Sequence, residues 1–159
     1  MIIINMEFAD SRVIPYIFKF AEHAIKNQKP SILFQVRTVS SLTDQHKDQI
    51  KDYYRDMFKT EKAYFWDELL EAADYLGFIS LKIVSYLFLH EVDHEFVTLI
   101  ANDSMELEVS YKIAKLFWLI KYKIGQEENI ILNQIDYPTL KKVVRFAKKY
   151  AKNHSYLST

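Results

Sequence analysis

Two glycines and three prolines in 159 residues are the tightest constraint on what this chain can fold into. Sheet-rich folds turn every few residues, and tight turns draw heavily on those two residue types. So little punctuation predicts a mostly α fold, α+β with minor short strands. The length is that of an ordinary single domain, and 50% hydrophobic residues are enough to close a core. Aromatic residues reach 15%. Such large rings suit either a tight helical core or an interface that buries anchors, and composition does not separate the two.

Charge narrows the function classes. Lys and Arg together number 21, as do Asp and Glu, so there is no long-range positive field to recruit phosphate backbones or anionic lipid. Neither nucleic acid nor membrane is expected as a partner. Cysteine is absent, which excludes disulfides and thiolate metal sites and suits a reducing compartment, cytoplasmic or nuclear. The apolar opening Met1-Ile2-Ile3-Ile4 is interrupted by Glu7 and Asp10 before a signal-peptide core forms, and runs such as Ile83 to Leu89 are too short for a membrane span.

Periodicity places the elements. Ile2 to Ile4 reads as a short strand, followed by a helix with Asp10 or Ser11 as N-cap, carrying Val13, Ile14, Ile17, Phe18 and Ala21 and ended by Pro30. Ser31 to Val39, soon followed by the polar run Thr38 to Asp52, is a connecting strand or short helix. Apolar positions from Tyr53 to Leu76 predict two helices with a break near Thr60, and Gly77 is the expected C-cap. Ser80 then starts a helix whose stripe runs through Val84, Phe88, Val92, Phe96 and Leu99. Asn102-Asp103-Ser104 is expected to cap a helix from Met105 to Lys123, closed by Gly125. The apolar trio Ile130-Ile131-Leu132, a turn at Asp136 to Pro138 and a basic amphipathic helix to Asn153 complete the chain.

The end of the chain resembles its beginning. At a shift of 126 positions Ile14 meets Leu140, Ile17 meets Val143, Phe20-Ala21 meets Phe146-Ala147, and Lys26-Asn27 meets Lys152-Asn153. That divides the chain into 1–128 and a strand-helix segment 129–159, which is either a partial repeat or swapped element or simply a second amphipathic helix preceded by a strand. The Lys-rich face of the last helix, with Lys141, Lys142, Lys148, Lys149 and Lys152, reads as a solvated flank near a favourable dipole end, with an acidic partner or nucleic acid as the alternative.

Leu69 to Leu81, with Ala72-Ala73-Asp74-Tyr75-Leu76-Gly77 at its centre, is similar to the helix-turn-helix of the Skp/BTB (POZ) family of ubiquitin-ligase adaptors. In that family a leucine-rich helix ends in Ala-Ala-Asn/Asp-Tyr-Leu and a leucine soon opens the next helix. Paired alanines let two helices approach closely, and glycine permits the left-handed joint. Phe58 and Phe65-Trp66 sit where the family carries aromatic residues ahead of that helix. Val13 to Ala24, and more closely Thr139 to Ala147, resemble its earlier Leu-x-x-Val-Ile-x-Trp/Phe-Cys helix. The family's opening strand pair and its F-box-holding C-terminal helices have no match in this chain. The resemblance implies a Skp/BTB-like helical cluster acting as a non-enzymatic adaptor, with a cullin or an F-box-type receptor as partner. The expected interface residues are Phe65, Trp66, Tyr75, Phe78 and Tyr86.

One motif argues for chemistry. His90-Glu91-Val92-Asp93-His94 spells H-E-x-x-H, which on a helix sets two imidazoles on one face beside a glutamate that activates zinc-bound water. Glu106 or Glu108 would be the third ligand. Asp93 introduces a charge where such enzymes usually have none, and His90 and His94 share a stripe with Ile79, Ile83, Tyr86 and Val97, which also fits the edge of a packed face. No cofactor and no catalytic residues are therefore expected. The alternatives are a zinc-dependent hydrolase built on His90, Glu91, His94 and Glu108, and a helical structural protein whose aromatics serve its own core and a homodimer seam.

Overall fold

The computed structural model describes residues 12–59, 61–117 and 129–153, so the strand expected over Ile2 to Ile4, the caps Asp10 and Ser11, and the close at Gly125 lie outside the described residues. The chain is mostly helical with a small three-stranded sheet. It divides into two compact units, Met1–Val92 and Asp93–Thr159. No helix among the described residues is long and apolar enough to cross a membrane.

The first unit is an aromatic-cored helical cluster. Helix α1 (Ile14–Lys26) buries Ile17, Phe20 and Ala24. Two short 3-10 turns, Ser31–Phe34 and Val39–Ser41, follow where a strand or short helix is expected. Helix α2 (Asp44–Phe58) then starts inside the polar run Thr38 to Asp52, well before the helix expected from the apolar positions. The Thr43 hydroxyl accepts the His46 N–H at 3.1 Å as a side-chain cap, and Ile50, Tyr54 and Phe58 form the buried stripe of the helix. Tyr54 is fully enclosed, and its hydroxyl donates to the Lys29 carbonyl at 2.7 Å. That burial pushes the phenol far above its usual range.

Helices α3 (Ala63–Leu76) and α4 (Ile79–Val92) form the predicted helix-turn-helix. Gly77 adopts φ 69°, ψ 24°, while Gly77 N–H and Phe78 N–H donate to the carbonyls of Asp74 and Ala73 at 3.1 and 2.9 Å. This is a Schellman closure, which satisfies carbonyls that the last turn would otherwise leave open. Ala72 and Ala73 are buried, and Lys82 Nζ sits 2.8 Å from Asp74 Oδ1 across the joint. In the core Trp66 stacks on Phe88 at 4.7 Å with 12° between ring planes, and Phe58 meets the Trp66 ring edge-on at 5.1 Å. Phe20 packs on Tyr54 at 5.1 Å, so rings from α1, α2, α3 and α4 make one continuous contact set.

Helix α4 stops at Val92, and the predicted continuation through Phe96 and Leu99 is instead strand β1 (Phe96–Ile100). Val97, Leu99 and Ala101 turn inward by the period of two, and the β-branched, aromatic content favours a half-buried strand. The helix expected from Met105 is strand β2 (Glu106–Ser110), in which Leu107 and Val109 alternate with Glu106, Glu108 and Ser110. Asn102-Asp103-Ser104 therefore caps no helix; it turns a hairpin, with Ser104 at φ 66° and Asp103 Oδ1 accepting the Met105 N–H at 3.3 Å. Asp and Asn tolerate such turns without glycine because their side chains bond their own backbone.

A four-residue helix, α5 (Tyr111–Ala114), follows β2 directly. Strand β3 (Asn129–Ile131) lies parallel to β1, with Leu99 opposite Ile130, giving the order β2-β1-β3. The strand opening the segment from 129 thus joins the sheet begun at Phe96. Helix α6 (Tyr137–Asn153) packs Leu140, Val144 and Ala147 with Leu99, Val109, Ile113 and Ile130. Its N-terminus is fixed by Asp136, whose Oδ1 accepts the Thr139 N–H at 2.8 Å, and by Asp103 Oδ2, which accepts the Tyr137 N–H at 3.2 Å.

Two outcomes follow. Trp66→Ala removes a ring touching three others and is expected to cost about 3–5 kcal/mol, seen as a lowered urea midpoint, whereas the same change at exposed Tyr75 leaves it nearly unmoved. The hydrogen bonds from Thr139 hold the Asp136 carboxyl below the usual aspartate range. A depressed folded-state pKa contributes stability that is whole above the unfolded value and is lost as pH falls through the folded one. Asp136→Ala is therefore expected to lower the Tm by a few degrees at neutral pH, with the gap from the unaltered protein closing on acidification.

Candidate functional site

The H-E-x-x-H segment straddles a helix end. His90 is exposed in the last turn of α4 with its ring 4.4 Å from Tyr86, edge to face. His94 lies in the turn after Val92, so helical continuity does not carry it to the same face. The i, i+4 spacing juxtaposes side chains only where the helix persists. Glu91 is already engaged: Lys51 Nζ is 3.1 Å from Oε1, and the Arg55 guanidinium reaches Oε1 and Oε2 at 3.3 and 3.4 Å. Partial burial alone would raise its pKa, but the hydrogen bonds and charges of Arg55 and Lys51 outweigh this and hold it below the usual range. The arrangement is an ion-pair link between α2 and α4. Glu108 is exposed on β2 opposite Thr98, with Glu106 opposite Ile100. Among the described residues no three His, Cys, Asp or Glu side chains are grouped to hold a metal ion.

The aromatic residues expected at an interface divide sharply by burial. Trp66 and Phe65 are enclosed, packed within the ring cluster they complete. Phe78 is half-buried with its ring 5.4 Å from Phe20, and Tyr86 is half-buried against His90. Tyr75 alone of the five is open, at 68% exposure.

Exposed large apolar residues that sequence reasoning missed include Phe96 and Ile131 on the sheet, and others form stripes on the two helices that resemble one another. Helix α1 exposes Phe18 and Ile25, at 60% and 82%, on the face away from Ile17, Phe20 and Ala24. Helix α6 exposes Val143, Phe146 and Tyr150, at 36%, 71% and 45%. Under the 126-residue shift these are the counterparts of Ile17, Phe20 and Ala24, the very residues that α1 buries. Conversely, Val144, buried on α6, corresponds to exposed Phe18. Matched positions therefore play opposite parts. Each helix carries two apolar stripes, of which a core needs one. The signal was present as apolar content wider than the roughly 100° arc of a one-sided helix.

Compared with protein-family models, curated proteins and solved structures, the chain matches none.

The geometry around Glu91 predicts that added zinc leaves the Tm unchanged, and that Glu91→Gln, which leaves Lys51 and Arg55 only their neighbours Asp48 and Asp52, lowers stability by about 1 kcal/mol or less, as exposed pairs do. A zinc-dependent rise of several degrees that His94→Ala abolishes would contradict this.

Proposed function

We propose that the chain is a non-catalytic protein-interaction module. What supports this is the pair of exposed apolar stripes on α1 and α6, each backed by a helix already anchored through its other face. Large apolar side chains standing in ridges on well-packed elements are the usual raw material of interface hot spots. Catalysis has less support: the one catalytic-looking motif spans a helix terminus, and its glutamate is committed to Lys51 and Arg55.

The similarity of Leu69 to Leu81 to the Skp/BTB helix-turn-helix makes adaptor the form of this proposal to test first, with a cullin-type scaffold or F-box-type receptor as partner and an intracellular site of action. The α3–Gly77–α4 joint would then be scaffolding, and the stripes would do the docking.

Affinity purification of the tagged full chain from a eukaryotic lysate tests it, with Phe18→Glu and Phe146→Glu as paired controls. Recovery of a cullin or an F-box protein, lost in one of the variants, is the expected result. Recovery that neither variant weakens, or no recovery at all from a chain shown to be folded, would overturn the proposal.

A further inference from the structure

The balanced charge of the whole chain conceals a segregated one. Helix α6 carries Lys141, Lys142, Arg145, Lys148, Lys149 and Lys152, all exposed, and no acidic residue between Tyr137 and Asn153. At 100° per residue, three faces follow in order around the helix. Leu140, Val144 and Ala147 are buried. Beside them stands the exposed apolar ridge Val143, Phe146 and Tyr150, and beyond that ridge the cations. Lys142, Arg145 and Lys149 repeat the ridge's own spacing of three and four, one residue earlier, so a basic ridge runs alongside the apolar one.

We propose that this face of α6 docks an amphipathic helical segment of a partner protein, one whose apolar stripe is bordered on a single side by carboxylates. The assignment names the partner chemistry of the interaction module above and rests on that reading. Three observations select this occupant. The apolar ridge demands an apolar counterpart, which a phosphate backbone lacks; a nucleic acid would pair with the cations and leave Val143 and Phe146 in water. The cations flank the ridge on one side only, because its other flank is the buried stripe. A helix lying on a bilayer uses cations on both flanks, so that long basic side chains reach the headgroups while the apolar stripe faces the lipid. A helix laid alongside α6 meets both ridges at once: apolar side chains contact Val143, Phe146 and Tyr150, and carboxylates at matching three-and-four spacing reach Lys142, Arg145 and Lys149.

The test is fluorescence anisotropy of the full chain with a labelled synthetic helical peptide carrying leucines at positions i, i+3 and i+7 and glutamates along one flank. Its control is the same peptide with lysine for each glutamate. The expected result is saturable binding of the acidic peptide, weakened about tenfold or more by Phe146→Ala and by Arg145→Glu, and weakened by added salt. The lysine peptide is expected not to bind. Both substituted side chains are exposed, so the thermal melt should be unmoved and loss of binding should not reflect unfolding. Three results would overturn the assignment: no binding of the acidic peptide, binding by both variants as tight as by the unaltered chain, or tighter binding of phosphatidylserine vesicles or oligouridylate through the same residues. If a lysate partner is captured but the peptide fails, the interaction role stands and its assignment to α6 falls.

Discussion

The stacked pair Trp66 and Phe88 is the contact on which the first unit depends. The two rings lie nearly parallel on adjacent helices, and Phe58 closes on both, so α2, α3 and α4 meet through these side chains. Fixing α3 against α4 requires the chain to reverse within two residues, which the left-handed Gly77 permits and the small Ala72 and Ala73 make close. Phe20 and Tyr54 extend the cluster to α1. A high aromatic content thus has a structural use before any functional one.

That use decides where function can sit. Rings spent on the core are not available as anchors, so the proposed interaction surface would come from residues that packing leaves over. The leftover stripes occur on α1 and α6, whose sequences are apolar across an arc wider than one packed face requires. In each helix the buried stripe fixes the backbone and the open one stands on a rigid support, which limits the ordering cost of docking a partner. Ion pairs around Glu91 serve packing in the same way, tying α4 to α2 through a carboxylate that a hydrolase would need to keep for water.

The sequence made the helical character legible, together with the α3–Gly77–α4 joint, the split near Thr60 and the last strand-helix pair. All of these rest on strong local signals: a glycine after a periodic run, an apolar stripe, and a proline tolerated in the first turn of the last helix; the turn itself falls at Asn133-Gln134, ahead of the expected Asp136 to Pro138. Both strands of the hairpin were missed because two periods competed. Val92, Phe96 and Leu99 fit a helical stripe, while Val97, Leu99 and Ala101 fit a strand, and Leu99 belongs to both. The shortage of glycine weighed toward helix there, yet the hairpin turns on Asn102, Asp103 and Ser104 without one. Burial of Phe65 and Trp66 was not legible, since ring content is silent on which rings pack together. The open face of α6 was hidden for a similar reason: periodicity shows that a helix is apolar on two stripes, and only tertiary contacts show which is covered.

Since the chain has no cysteine, single-cysteine variants give a direct reading of which stripe is open. Thiol labelling rates of the folded protein should be fast for Phe146→Cys and Val143→Cys, and slow for Val144→Cys and Ala147→Cys until denaturant unfolds the chain. Fast labelling at 144 and 147 with protection at 146 would mean that α6 packs through the opposite face, and the interaction surface described above would not exist.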